Sequence, residues 1–279
     1  MDIKKPLFSI VIANYNSGDF LEDAIQSVLN QNCQDFELII VDGGSSDNSV
    51  EIINKYSGQL SWWISENDEG QSNAFNKGFA KAKGEFYFWL NADDLLLPCS
   101  LFHAKAEIQM RPNNLWFVAN TIFFSKEGFI IKCARGPNWK DYLFKKGPIT
   151  VYGPTSIFHK SLYKTCGGFD ESFHFTMDTD LWVRFVNQGF KYHRINKYFW
   201  GFRVHEDSKT SHVFLTRKAN DNYSKERKKM KDKNAYTFNR KDLIKQQIFK
   251  IFTGVYYKSW TDTKKFSVKN ISSILCENL

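Results

Sequence analysis

Residues 85–94 read Glu85-Phe86-Tyr87-Phe88-Trp89-Leu90-Asn91-Ala92-Asp93-Asp94. The apolar run from Phe86 to Leu90 stops abruptly in amides and carboxylates. A run this short predicts a strand buried on both faces. Two adjacent carboxylates at the end of such a strand need compensation. A divalent cation is one compensator, and carboxylate oxygens suit hard ions such as Mg²⁺ or Mn²⁺, which are commonly shared with substrate phosphates. The alternatives are that Asp94 caps a helix beginning near Pro98, or that water solvates both groups.

The same pattern repeats upstream. Residues 7–13, 36–41 and 61–65 read as strands, and helical spacing follows each, with Leu21, Ile25, Val28 and Leu29 after the first. The third helix covers 71–82. Strands separated by helices of about ten residues imply βαβ units and a parallel sheet. The strands lead into Asn14-Tyr15-Asn16, into Asp42-Gly43-Gly44-Ser45-Ser46-Asp47, into 65–71, and into Asn91 to Asp94. All four polar clusters are therefore expected along one edge, where open α/β sheets bind ligands. Neither the Walker spacing nor a G-x-G-x-x-G fingerprint is present.

Further along, residues 115–124 and 128–133 read as a hairpin, 152–159 and 191–202 as strands, and 178–187 as a helix opened by Asp178 and Asp180. Carboxylates favour a helix N-terminus through the macrodipole alone. The functional alternative is a general base for a hydroxyl nucleophile. A loop with Arg203, His205 and Lys209 offers a metal or phosphate contact.

Taken in order, these segments resemble the inverting glycosyltransferases of family 2, with the GT-A fold: a mostly parallel, Rossmann-like sheet flanked by helices. The resemblance covers residues 7–210, from Phe8-Ser9-Ile10-Val11-Ile12-Ala13-Asn14-Tyr15-Asn16 through Asn91-Ala92-Asp93-Asp94 to Gly167-Gly168-Phe169-Asp170 and Met177-Asp178-Thr179-Asp180-Leu181-Trp182. It implies that Ala13, Asn14 and Tyr15 hold the nucleotide base and that Asp42 lies in the uridine-binding segment. Many members have a second Asp where this chain has Gly43. Gln71 and Asn76 fall near the nucleotide and donor sugar. Asp93 and Asp94 share the ribose and metal contacts, without a decision as to which does which. Asp178 matches the catalytic Asp, and His205 a late His near the diphosphate or metal. The residue before the catalytic Asp is often Glu in the family and is Met177 here.

These implications make a consistent chemistry. A cation at Asp93 and Asp94 neutralises a nucleotide-diphosphate leaving group. One base opposite the leaving group gives single displacement with inversion, whereas glycosidases use a pair of carboxylates. The expected cofactor is Mn²⁺ or Mg²⁺, the donor a UDP-sugar, and the acceptor a glycan or a lipid-linked hydroxyl, in the setting of bacterial surface polysaccharide assembly. Trp139, Trp182 and the loop around Gly153-Pro154-Thr155 are expected to shape the pocket. The competing reading is a catalytically silent nucleotide-sugar-binding or scaffold subunit at a membrane surface. Retention of Asp93, Asp94 and Asp178 argues against it.

The composition adds a location. The 279 residues include 38 Lys+Arg and 30 Asp+Glu, a net charge of +8. Residues 215–250 hold 12 Lys+Arg against 4 Asp+Glu, and residues 251–279 hold 4 against 2, which leaves residues 1–214 at net −2. The catalytic unit is therefore expected at 1–214 and a basic, amphipathic helical extension at 215–279. A nucleic-acid partner loses its support, because the sheet region is not basic. The basic stretch precedes Leu243, Ile244, Ile248, Phe249, Ile251, Phe252, Val255 and Tyr256 at helical spacing. That sequence fits an interfacial anchor on an anionic membrane, and equally a face packed on the catalytic unit or on the second subunit of a homodimer. No run of about 18 apolar residues occurs, and residues 7–13 are too short for a signal peptide. Five widely spaced cysteines make no disulfide framework, so five ordinary thiols in a cytoplasmic protein, peripheral on the inner face of the plasma membrane, are expected.

Overall fold

The computed structural model describes residues 5–144, 149, 151–206, 208, 221–267 and 269–274. The expected boundary between residues 214 and 215 lies outside them. The first half alternates as its periodicity predicts: β1 (Phe8–Asn14), α1 (Gly18–Leu29), β2 (Phe36–Asp42), α2 (Ser49–Tyr56), β3 (Trp62–Ser65), α3 (Gln71–Lys81) and β4 (Phe86–Asn91). Then come β5 (Leu95–Leu96), α4 (Ser100–Met110), β6 (Trp116–Ser125), β7 (Ile130–Ala134), α5 (Asp141–Phe144), β8 (Ser156–His159), α6 (Lys160–Thr165), α7 (Met177–Asn187) and β9 (His193–Val204). Among the described residues three helices follow: α8 (Asp221–Lys233), α9 (Arg240–Phe252) and α10 (Val255–Phe266).

All nine strands join one sheet in the order β3-β2-β1-β4-β8-β6-β9-β5, with β7 paired to β6. The first four are parallel. Antiparallel β8 joins β4 to β6. Strands β6 and β7 form the expected hairpin, while β6 and β9 are parallel.

Period-2 alternation explains why the strands look apolar throughout. Ile10 and Ile12, Leu38 and Ile40, and Phe88 and Leu90 face one core with α1, α2 and α4. Val11, Ile39 and Val41, and Tyr87 and Trp89 face the other with α3 and α7. Both faces are covered, so no position is left for a solvated side chain. A Cβ on Gly78 of α3 would overlap the Val11 side chain, so this glycine lets the helix lie directly on β1.

The chain runs from β1 outward to β2 and β3, then returns to place β4 on the other side of β1. This reversal opens a crevice at the carboxyl ends of β1 and β4. The pairings Asn14↔Asp42, Ala13↔Asn91 and Asp42↔Ser65 align the polar ends along one edge.

The later helices share the cores of the sheet. Met230 and Tyr236 are buried in the second core, and Phe266 packs with Ile130 and Cys133 of β7 in a third. The apolar segment from Leu243 onward is two helices and not one, broken at Gly254 with φ +68. Cys33, Cys133 and Cys166 are free, whereas Cys99 is disulfide-bonded, which corrects the expectation of five thiols. Sequence spacing does not report which sulfurs meet in space. Among the described residues no helix is long and apolar enough to cross a membrane.

Candidate active site

A cavity of about 810 Å³ opens at the crevice and is lined by Ala13, Asn14 and Tyr15 from the end of β1, and by Asn91, Ala92 and Asp93 from the end of β4. Gln71, Gly153 and Asp178 complete its walls. Asp42 lies beneath the lining, fully buried. Its carboxylate accepts hydrogen bonds from Asn14 Nδ2 (2.6 Å), Ser45 N (3.0 Å), Ser45 Oγ and Ser65 Oγ (2.6 Å). Burial pushes this carboxyl up, but the bonds from Ser45, Ser65 and Asn14 outweigh burial and hold it below the ordinary carboxylate range. Asp42 thereby fixes the loop that presents Gly43 and Gly44 to the cavity.

The α1 N-terminus is capped from a distance. Ser17 makes no side-chain cap bond, and Asp47 Oδ2 instead accepts from Gly18 N at 2.8 Å. Asp68, also in the cavity wall, crowds Gly43: a Cβ there would come within 2.7 Å of Asp68 Oδ2. A carboxylate thus stands beside the backbone of Gly43.

At the end of β4 the two carboxylates part company. Asp93 lines the cavity, and its Oδ2 lies 3.0 Å from His205 Nε2. The His205 ring packs on Phe20, with centroids 4.8 Å apart. Asp94 is fully buried and points away from the cavity. It accepts from Arg203 N at 2.9 Å and Asn91 Nδ2 at 2.7 Å. Burial, then the neighbouring Asp93 charge, pushes its carboxyl well above the usual range. Asp94 does not cap the next helix either, because Cys99 occupies that position. Arg203 braces the whole corner. Its guanidinium donates to Asp93 O (2.9 Å), Lys126 O (3.3 Å) and Asp23 Oδ2 (3.0 Å), between the rings of Phe20 and Phe124.

Among the described residues no cluster of three or more His, Cys, Asp or Glu side chains converges as a metal site. The donor set here is Asp93 with His205. Two protein donors fit an ion that takes its other ligands from phosphate oxygens and water.

Across the cavity, Asp178 sits in the first turn of α7 and lines the wall. Thr179 N and Oγ1 donate to its Oδ1 at 2.6 and 3.2 Å. Burial raises its carboxyl to about 6, with the Thr179 bonds opposing the rise. One turn later, Trp182 stacks between Trp89 and Trp116, with centroids 5.4 and 5.3 Å away, and pins the helix to the sheet. Gly153 packs against Asp178, since a Cβ there would lie 3.0 Å from Asp178 Oδ2 and 3.1 Å from Trp89.

Two expectations about pocket shape are corrected. Trp182 is fully buried in the core, and Trp139 stacks on Phe144, so neither lines the cavity, whereas Gly153 and Pro154 do. The structure brings Ala13, Asn14, Tyr15, Gln71, Asp93 and Asp178 onto the cavity. His205 joins through Asp93, and Gln71 Nε2 donates to Asn91 Oδ1 at 2.8 Å. Asn76 stands apart. Its Nδ2 donates to Phe169 O (3.0 Å) and Glu171 Oε1 (2.6 Å), and its Oδ1 accepts from Phe169 N and Tyr163 OH, so it buckles the turn before α7. Sequence reading did not single out Asp68, His174 or Arg203's brace. The polar cluster at residues 65–71 carried a signal for Asp68, while Arg203 acts through contacts 77 or more residues away in the chain.

Residues 9–163 match the family model described as glycosyl transferase family 2. The chain belongs to glycosyl transferase family 2. Within the family it is 31% identical over 198 residues to an uncharacterized glycosyltransferase of Rickettsia typhi, covering 65% of this chain and 59% of that one. It is 26% identical over 251 residues to the chondroitin synthase of Pasteurella multocida, covering 88% of this chain and 26% of the synthase. The chain thus spans less than two thirds of these family members. Its fold is similar to that of S. aureus TarS 1-349 in complex with UDP (TM-score 0.58, 21% identity, 77% of this chain and 64% of that one). A similar likeness holds to the mannosyltransferase PcManGT of Pyrobaculum calidifontis in complex with GDP-Man and Mn²⁺ (TM-score 0.58, 14% identity, 78% and 66%). The fold is that of the GT-A glycosyltransferases.

Proposed function

We propose that the protein is an inverting glycosyltransferase that moves a sugar from a UDP-sugar to a hydroxyl of a glycan or lipid-linked acceptor. The observation that carries this reading is the placement of Asp178, from the first turn of α7, and Asp93, from the end of β4, on one cavity. Asp178 is the base. A carboxyl raised to about 6 is ionised at neutral pH, yet basic enough to take a proton from an attacking hydroxyl. Asn14 and Tyr15 form the floor for the base and ribose, with Asp42 holding their loop and Asp68 offering a carboxylate to the uracil edge. Gln71 and Asn91 lie between the nucleotide floor and the sugar. Asp93 and His205 would hold Mn²⁺ or Mg²⁺, which when bound supplies positive charge against the diphosphate. Asp94 and Arg203 keep Asp93 in place from below. The buried wall of Trp89 and Gly153 excludes water beside Asp178, which favours transfer over hydrolysis.

The relatives support a nucleotide-sugar donor, since one fold neighbour was solved with UDP and another with GDP-Man and Mn²⁺. The chondroitin synthase relative supports a polysaccharide setting. A panel of UDP- and GDP-sugars, with Mn²⁺ or Mg²⁺, tests the reading by nucleotide release. UDP is expected from one UDP-sugar, and Asp178→Asn should abolish transfer while keeping UDP binding. If no nucleotide sugar binds, the reading fails, and if Asp178→Asn transfers normally, Asp178 is not the base.

A further inference from the structure

Helices α9 and α10 are joined through Thr253 and Gly254, and their inner sides are moored. Gln246, Val255 and Phe266 are buried. Arg135 N donates to Ser259 Oγ (3.1 Å), Cys133 N donates to Thr263 Oγ1 (2.9 Å), and Asp262 pairs with Arg135 at 2.6 Å. The outer side is a different surface. Phe252 is 87% exposed, Tyr257 68%, Ile251 63% and Trp260 53%, and Ile244 and Ile248 continue the patch along α9. Single exposed apolar residues are ordinary, but a contiguous group at one helical corner marks an interaction surface.

The charge around the patch selects the partner. Arg240, Lys241, Lys245, Lys258, Lys264 and Lys265 are exposed on the same two helices. Lys264 Nζ lies 4.0 Å over the Trp260 ring. The only carboxylates of the two helices are engaged elsewhere: Asp242 in the capping box with Asn239, and Asp262 with Arg135 and Tyr198. The exposed side therefore combines apolar and aromatic tips with cations and has no free acid of its own. This is the composition of a surface that sinks its apolar tips at the headgroup level while lysines meet phosphates.

We propose that the outer face of α9 and α10 docks the protein on an anionic lipid bilayer. This goes beyond the sugar-transfer reading and does not depend on it, because vesicle binding is measured without any donor or acceptor. Neither helix carries a residue of the cavity wall.

Co-sedimentation of the intact chain with vesicles of phosphatidylcholine mixed with phosphatidylglycerol, or of phosphatidylcholine alone, tests it. The chain is expected to pellet with the mixed vesicles, less so at high salt, and to stay in solution with phosphatidylcholine alone. Ile251→Glu with Phe252→Glu should lower partitioning about tenfold or more. Lys241→Glu with Lys245→Glu should lower it at least about fivefold per lysine. Melting temperature and UDP binding should be unchanged in both pairs. The proposal is overturned if the intact chain does not pellet with the mixed vesicles, or if both variants pellet as well as it does. It is equally overturned if the chain ignores vesicles and forms a dimer that Phe252→Glu splits, since a second copy would then cover the face.

Discussion

The Glu226 carboxylate of α8 accepts a hydrogen bond from Phe175 N at 2.8 Å, just ahead of the helix that carries Asp178. The same group also accepts from His174 N at 2.9 Å and Thr176 N at 3.2 Å. His174 and Phe175 line the cavity, so a residue from the basic tail fixes part of the site wall. Lys233 and Asn234 extend the clamp, reaching Asp170 and the buried Asp180.

Replacing Glu226 by Ala leaves three N–H groups at a helix entry without this acceptor, a loss of about 2 kcal/mol. We expect a lower melting temperature and a lower kcat, with UDP affinity nearly unchanged. Glu226→Gln retains an acceptor oxygen and should recover part of both. Equal loss of UDP binding in the Ala variant would show that the clamp serves the whole fold and not this wall.

Asp178 sets a pH dependence of definite sign. Its carboxyl rises from the ordinary 3.8 to about 6 on folding, so the charged form is disfavoured in the native state. Its penalty is absent below the unfolded value, grows between the two, and is full above about 6. Asp178→Asn should therefore stabilise the protein on the order of 2 kcal/mol at neutral pH and hardly at all near pH 4. Thermal melts across that range measure it. In the same window, wild-type kcat/KM should fall about tenfold per pH unit below about 6, as the base is protonated.

Gly153 leaves room for that base. Gly153→Ala would set a methyl 3.0 Å from Asp178 Oδ2 and 3.1 Å from Trp89. A displaced base costs rate and not nucleotide affinity, so kcat should drop about tenfold or more with the UDP dissociation constant unchanged. Titration calorimetry beside steady-state kinetics separates the two. A variant with full kcat would mean that the wall has slack.

Asp93 and Asp94 should separate by experiment as they do in space. Asp93→Asn and His205→Ala are expected to raise the Mn²⁺ concentration needed for half-maximal transfer by about tenfold or more. Asp94→Ala removes the acceptor of the buried Arg203 N and of Asn91 Nδ2 and should instead lower the melting temperature. A chelator should silence the wild type reversibly. Loss of stability without a change in metal demand at Asp93 would remove it from the metal site.

Much of this was legible in the chain. Alternating apolar runs and helical spacing give β1 to β4 and their helices, because a strand covered on both faces has to be apolar throughout. The polar ends of those runs mark the site edge, and Asp178 at a helix start is visible as a local pattern. The later strands β6 to β9 are legible as well, but the place of β8 in the sheet is not. The antiparallel insertion of β8 between β4 and β6 depends on pairings between residues about 40 or more positions apart, as at Trp116↔Phe158. No local signal encodes such pairings.

The amino-acid pattern alone yields β1 to β4 with their helices, the polar edge of the sheet, and the concentration of positive charge in the last quarter of the chain. Local periodicity and composition suffice for these. Folding is what turns Asp93 to the cavity and Asp94 to the core, makes Asn76 buckle a turn, and brings Glu226 to the entry of α7. Neighbouring residues at a strand end are equivalent as letters and become different only when burial assigns each a side. The tertiary structure also divided the basic tail, with one helix clamped beside Asp178 and two whose apolar tips are left in water.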